Sequence, residues 1–197
     1  MKRIAVLLAV IPMIILCGCM GDTGQKIEKR YRNLESYMAE ITVEVTGNKG
    51  KETYEMIQVY QSPDRYRIEV ISPKELAGTV SIVTDEETRL LGGGAPEISF
   101  PLNRIDAVDS LSVADFFRSY FDGGQMEETE ESVNLSVQQD WGQQVLELDK
   151  KTLVPKTMWV YGKDGKLRIQ AEWNEFELDA KIDKEIYDGY KESVGGN

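Results

Sequence analysis

Between Ala39 and Leu91, apolar and polar residues alternate in short runs, and the segments joining the runs are too short to hold a crossover helix. That feature sets the fold class. Parallel neighbours need a connection of about a dozen residues or more, so these strands have to pair antiparallel. In "AEITVEVTG", Ile41, Val43 and Val45 alternate with Glu40, Thr42, Glu44 and Thr46. "TYEMIQVYQ" is apolar on both faces, with Tyr54, Met56 and Tyr60 against Ile57 and Val59. "RYRIEVIS" returns to strict alternation with Tyr66, Ile68 and Val70. "GTVSIVTD", which carries Val80 and Ile82, and "TRLLG" complete this set.

Two stretches change period. In "QKIEKRYRNLESYMA", Ile27, Tyr31, Leu34 and Met38 form one stripe of an amphipathic helix, with Thr23 as N-cap. In "SVADFFRSYF", Phe116, Phe117, Tyr120 and Phe121 give a helix a wide aromatic face; Ser112 suits the N-cap and Gly123 the stop. "GGGAPEISFPL" has too much glycine and proline for a central strand. It reads as a mobile loop that offers Ile98 and Phe100 as contact residues. After the second helix come "SVNLSVQQ", "QQVLELD", "KTMWVYG" and "KLRIQAEWNEF", with Asp164-Gly165 as a two-residue hairpin turn.

The expected fold is therefore α+β: a strongly curved antiparallel sheet of about nine to eleven strands, an open half-barrel with helices over its concave side. Two packings stay open at this point. The concavity holds an apolar groove for an acyl chain or peptide, or the aromatic helix fills it as solid core. Groove-lining or core candidates are Ile41, Val43, Val45, Tyr66, Ile68, Val70, Val80, Ile82, Phe116, Phe117 and Tyr120. Arg65 and Arg67 are expected on the outward face of their strand beside Glu69, in cross-strand ion pairs. Trp141, Trp159 and Trp173 suit either an interface or the barrel ends.

The N-terminus has a separate logic. Lys2 and Arg3 precede an apolar run from Ile4 to Leu16 that is too short to span a bilayer and has the proportions of a signal peptide. Leu16-Cys17-Gly18-Cys19 follows and resembles the bacterial lipobox, with small Gly18 just before Cys19. The resemblance implies cleavage before Cys19 and a diacylglyceryl group on that sulfur. Two acyl chains make a firm anchor where one binds only marginally. An ordinary cleaved signal with a Cys17–Cys19 disulfide is the other reading. Loss of Lys2 and Arg3 takes the net charge from −11 to −13. The chain then divides into a signal peptide (1–18), a lipidated N-terminus and spacer (19–24), a half-barrel domain (25–190) and a flexible tail (191–197).

Composition narrows the function. A net charge of −11 argues against a nucleic-acid partner. The chain has no histidine and no cysteine beyond Cys19, so Ser–His and Cys–His catalysis and His/Cys zinc sites are closed to it. The acidic run Glu127–Glu131 lacks the spacing of a calcium loop and reads as a solvated segment. No cofactor and no metal is expected, and no enzyme.

Three stretches carry a family resemblance. "YRNLESYMAEITVEV", "QSPDRYRIEVISP" and "LELDKKTLVPKTMWVYGKDGKLRIQAEWNEFELDAKIDKEIY" are similar to the opening helix and strand, the strand–Pro–strand element and the closing hairpins of the LolA/LolB-like lipoprotein carriers. The run "RIEVISPKELAG" looks closest to the germination lipoproteins of spore-forming clostridia, the GerS-like branch. The resemblance implies a helix-lidded half-barrel with no catalytic site. It further implies a membrane-anchored protein on the extracytoplasmic side that binds and activates a spore cortex amidase. The alternative it offers is a LolB-like receptor holding acyl chains or lipoproteins in its groove. Open sheet edges also allow a strand-swapped homodimer.

Overall fold

The computed structural model describes residues 22–47, 50–84, 88–92, 98–100 and 110–187. Cys19 and the segments on either side of it lie outside the described residues, as does the tail. The helix α1 (Asp22–Tyr31) leads into β1 (Ser36–Gly47), followed by β2 (Gly50–Gln61), β3 (Arg65–Ser72), β4 (Val80–Val83), β5 (Thr88–Leu91) and β6 (Ile98–Phe100). Helix α2 (Val113–Phe121) comes next. Then follow β7 (Gln125–Glu128), β8 (Ser132–Gln139), β9 (Gly142–Asp149), β10 (Pro155–Gly162), β11 (Leu167–Leu178) and a 3-10 turn at Lys184–Tyr187.

All the strands join one 11-stranded sheet in the order β6-β5-β4-β3-β2-β1-β11-β10-β9-β8-β7. Every pairing is antiparallel. Two meanders meet where β1 pairs with β11, Tyr37 opposite Leu178 and Val45 opposite Ile169. Extra residues interrupt the register at Glu40/Ile41 against β11 and at Glu55/Met56 against β3, among other places. Such bulges bend a strand and add twist, which lets the sheet curl without closing. At the first of them Asn174 Nδ2 donates to Thr42 Oγ1 at 3.0 Å.

The main core fills the concave side. It combines Tyr37, Ile41 and Val43 of β1, Leu135 of β8, Leu146 and Leu148 of β9 and Met158 of β10 with Phe116 and Phe117 of α2 and Ile27 and Tyr31 of α1. A smaller core lies on the opposite face: Val59, Val80, Ile82 and Leu91, covered by Ile182, Ile186 and Tyr187 of the C-terminal segment. That segment is a strap. Ser36 Oγ donates to the Ala180 carbonyl at 2.8 Å, and Arg89 Nη2 donates to the Tyr187 carbonyl at 2.5 Å.

Several sequence expectations change here. The first helix stops at Tyr31, so Met38 lies in β1, exposed, while Leu34 stays buried outside the helix. Ladder bonds on both sides of β1, beginning at Ser36 opposite Gln61, outweigh the helical stripe. Ile98 and Phe100 belong to an edge strand rather than a loop; their side chains lie outside the described residues. The acidic run splits, with Glu127 and Glu128 in β7 and the rest in a turn held by Thr129. The last hairpin turns through 163–166, with Gly165 at φ 72°. Arg67 pairs along its own strand with Glu69 at 2.7 Å, with no cross-strand ion pair of its own among the described residues, and Arg65 lies over the Tyr187 ring.

Candidate functional site

The concavity is the first place to look. The chain between β6 and β7 has to pass from one edge of the sheet to the other, and α2 makes its passage on the concave side. Ser112 caps the helix, its hydroxyl accepting from the Asp115 N–H at 3.2 Å. Phe116 and Phe117 are each 1 % exposed. The Phe117 ring stacks on Tyr31 of α1 with centroids 3.9 Å apart, and meets Phe116 edge-on at 5.7 Å. Tyr31 in turn donates its hydroxyl to the Leu153 carbonyl at 2.6 Å. The aromatic face of α2 thus occupies the space that an acyl chain would need.

Two buried amides hold the approach to α2. Gln144 Nε2 donates to the Ser110 carbonyl at 2.7 Å, and Gln58 Nε2 to the Leu111 carbonyl at 3.4 Å. The Tyr37 hydroxyl accepts from the Val113 N–H at 3.3 Å. Burial pushes the Tyr37 phenol far above its ordinary range. Sequence reading missed both glutamines. The available signal was Gln58 at an inward position, opposite Ala39 and Ile68 in register.

The candidates named from the sequence fall into three groups. Ile41, Val43, Tyr66, Ile68, Phe116 and Phe117 are buried together in the main core, and Val45 and Tyr120 pack against it partly buried. Val70 is half-buried at the end of β3. Val80 and Ile82 are buried on the other face, under the strap, and line no part of the concavity. Among the tryptophans, Trp173 is in the main core and Trp141 is exposed.

An open cleft of about 730 Å³ lies at the rim, between the end of α1, the β2–β3 turn and α2. Leu34, Tyr60 and Phe121 give it an apolar floor, and Arg32, Glu35, Asp64 and Arg118 a charged edge. Arg118 reaches Asp115 at 2.7 Å and Asp64 at 3.2 Å; Arg32 lies 4.5 Å over the Phe121 ring. Such a cleft can seat a polar protein surface. Asp149 and Asp164 are both held below the usual carboxylate range by hydrogen bonds in their own turns, to Thr152 and to the Lys166 N–H first of all. Their departure is structural and marks no acid–base pair. Among the described residues no helix is long and apolar enough to cross a membrane.

Comparison with known proteins starts from this geometry. Residues 1–87 match the family of YdcC-like sporulation proteins. No curated protein matches the sequence. Among solved structures, an uncharacterized conserved protein from Thermus thermophilus superposes with a TM-score of 0.58 at 14 % identity, over 86 % of this chain and 94 % of that one. The GerS lipoprotein of Clostridioides difficile, solved with the CwlD amidase, is 25 % identical over 78 % of this chain and 92 % of its own, with a TM-score of 0.51. A LolA superfamily protein from Nitrosomonas europaea is also similar, at 11 % identity over 84 % of this chain and 97 % of that one, with a TM-score of 0.47. The chain thus shares the open, antiparallel sheet of these structures.

Proposed function

We propose that this GerS-like chain is an exported, lipid-anchored germination protein that does no chemistry and acts by binding a spore cortex amidase. One observation carries the choice over a lipid carrier: Phe116 and Phe117 fill the concavity, each 1 % exposed. A carrier needs an empty groove, whereas a protein-binding regulator works from its outer surface and gains rigidity from a solid interior. The similarity to GerS, whose structure was solved in complex with an amidase, supplies the class of partner. The lipobox-like Leu16–Cys19 stretch supplies the anchor.

The test pairs two titrations on the purified protein. Mixed with the cortex amidase of its own organism, the chain is expected to co-elute in size-exclusion chromatography and to raise the amidase turnover. A fluorescent fatty acid is expected to show no saturable binding in the micromolar range. Saturable fatty-acid binding that a charge at Ile68 abolishes, with no amidase complex, would establish the LolB-like alternative.

A further inference from the structure

A local exception to the molecule's charge lies beside α1. A cleft of about 700 Å³ runs between that helix and the β9–β10 turn, and four cations line it: Lys26, Lys29, Arg30 and Lys151. Its acidic members are Glu35 and Asp179. The cleft is therefore net basic on a chain of net charge −11. It is also rigid. Arg30 donates to the Thr152 carbonyl, Tyr31 to the Leu153 carbonyl, and Asp149 Oδ1 folds the turn by accepting from the backbone of Lys151 and Thr152 at 3.0 and 2.8 Å. Lys29 and Lys151 are exposed and make no ion pair among the described residues. Lys26 pairs with Asp22, with more than half of each side chain in solvent.

The position of the cleft says what it meets. Only Met20 and Gly21 separate Cys19 from Asp22. At no more than about 3.6 Å per residue, that tether holds the start of α1 within about 11 Å of the anchored sulfur. A helix rises about 1.5 Å per residue, so Lys29 is about 10 Å further along its axis, and closer to the surface if the helix tilts. With the helix upright Lys29 stands about 21 Å from the sulfur, beyond the screening length of about 8 Å at physiological ionic strength, so the cleft reaches the headgroups with the helix laid along the surface. An anionic bilayer repels an acidic molecule as a whole and attracts a basic cleft on it. We infer that the Lys26/Lys29/Arg30/Lys151 cleft docks on the anionic phospholipid headgroups of the membrane that holds the Cys19 anchor, and so fixes how the domain stands on that membrane. The inference rests on the anchor proposed above.

The experiment uses the full lipidated protein, reconstituted into vesicles of phosphatidylcholine alone or of phosphatidylcholine with phosphatidylglycerol. Lysines are labelled briefly with an amine-reactive reagent and read by mass spectrometry. Lys29 and Lys151 are expected to label several-fold more slowly on the phosphatidylglycerol vesicles, with the protection lost in high salt. Lys166, whose side chain is 75 % exposed in the β10–β11 turn, serves as the unaffected reference. A Lys29→Glu/Lys151→Glu variant, which keeps the fold because both side chains are in solvent, is expected to lose the protection at Lys26. Equal labelling on the two vesicle types overturns the inference, as does the same protection produced by inorganic phosphate without vesicles. The mass of the N-terminal peptide comes from the same digest, so a bare Cys19 sinks the anchor while equal labelling sinks the cleft.

Discussion

Gln144 sits at 4 % exposure opposite Val137 and Val160 in register, where an amide without partners costs more than a hydrocarbon of the same shape. It is tolerated because its Nε2 meets the Ser110 carbonyl at 2.7 Å. Gln58, wholly buried, makes the weaker bond, at 3.4 Å to Leu111. Both bonds are made to the backbone just before α2, so they fix where the aromatic helix enters the concavity. Gln144→Leu keeps the volume and deletes the bond. It is expected to lower stability by about 1 kcal/mol, the net worth of a neutral buried hydrogen bond. Urea denaturation reads this as a lower midpoint with an unchanged slope. Gln58→Leu is expected to cost less, because the bond it loses is longer. A Gln58→Leu cost above that of Gln144→Leu would contradict the ranking.

At the scale of elements, β2 explains what was legible and what was not. Its sequence is apolar on both faces, and the structure covers both: Tyr60 and Met56 face the main core, while Ile57 and Val59 face the strap. The two-sided pattern was thus a readable sign of a second layer, but it does not say which segment supplies that layer. β4 is harder still. All four residues, Val80 to Val83, are buried. Alternation carries no information when neither face meets water, so Val80 and Ile82 could not be assigned a side from sequence. Helix α2 was legible because its cap, stop and stripe agree. β7 was not, because "QMEE" is an edge strand with little to bury. The strap itself carries a pH prediction. Burial pushes the Tyr187 hydroxyl from its usual 10.0 up to about 12, with Arg65 and Arg67 pulling the other way. The folded state favours the neutral phenol, so its contribution is complete below pH 10 and is lost as the pH rises through 12. Tyr187→Phe is expected to match the wild type in thermal stability near neutrality and to surpass it above pH 10. Parallel curves through that window would show that the phenol does not titrate there.

On the scale of the whole molecule, the order of the sheet decides what the concavity can do. The first meander ends at β6 and the second begins at β7, the two outermost strands, so the chain cannot join them without crossing a face of the sheet. The plug is a consequence of topology, and the sequence then makes it aromatic. The same order places β1 at the seam, paired along its length with β2 on one side and largely with β11 on the other. Amide hydrogens of β1 are therefore expected to exchange last and those of β7 among the first; uniform exchange across the sheet would contradict a single core built on that seam. The plug can be tested by removing part of it. Phe117→Ala is expected to cost about 3–5 kcal/mol and to leave a dry void beside Tyr31 and Phe116. An apolar void of that kind takes up benzene. Added benzene should then raise the Tm of the Phe117→Ala variant in a concentration-dependent way and leave the wild type unchanged, because a ligand stabilises only the state that has room for it. A wild-type protein that gains as much from benzene as the variant does would mean that the concavity is open, and the chain would have the empty groove that a carrier requires.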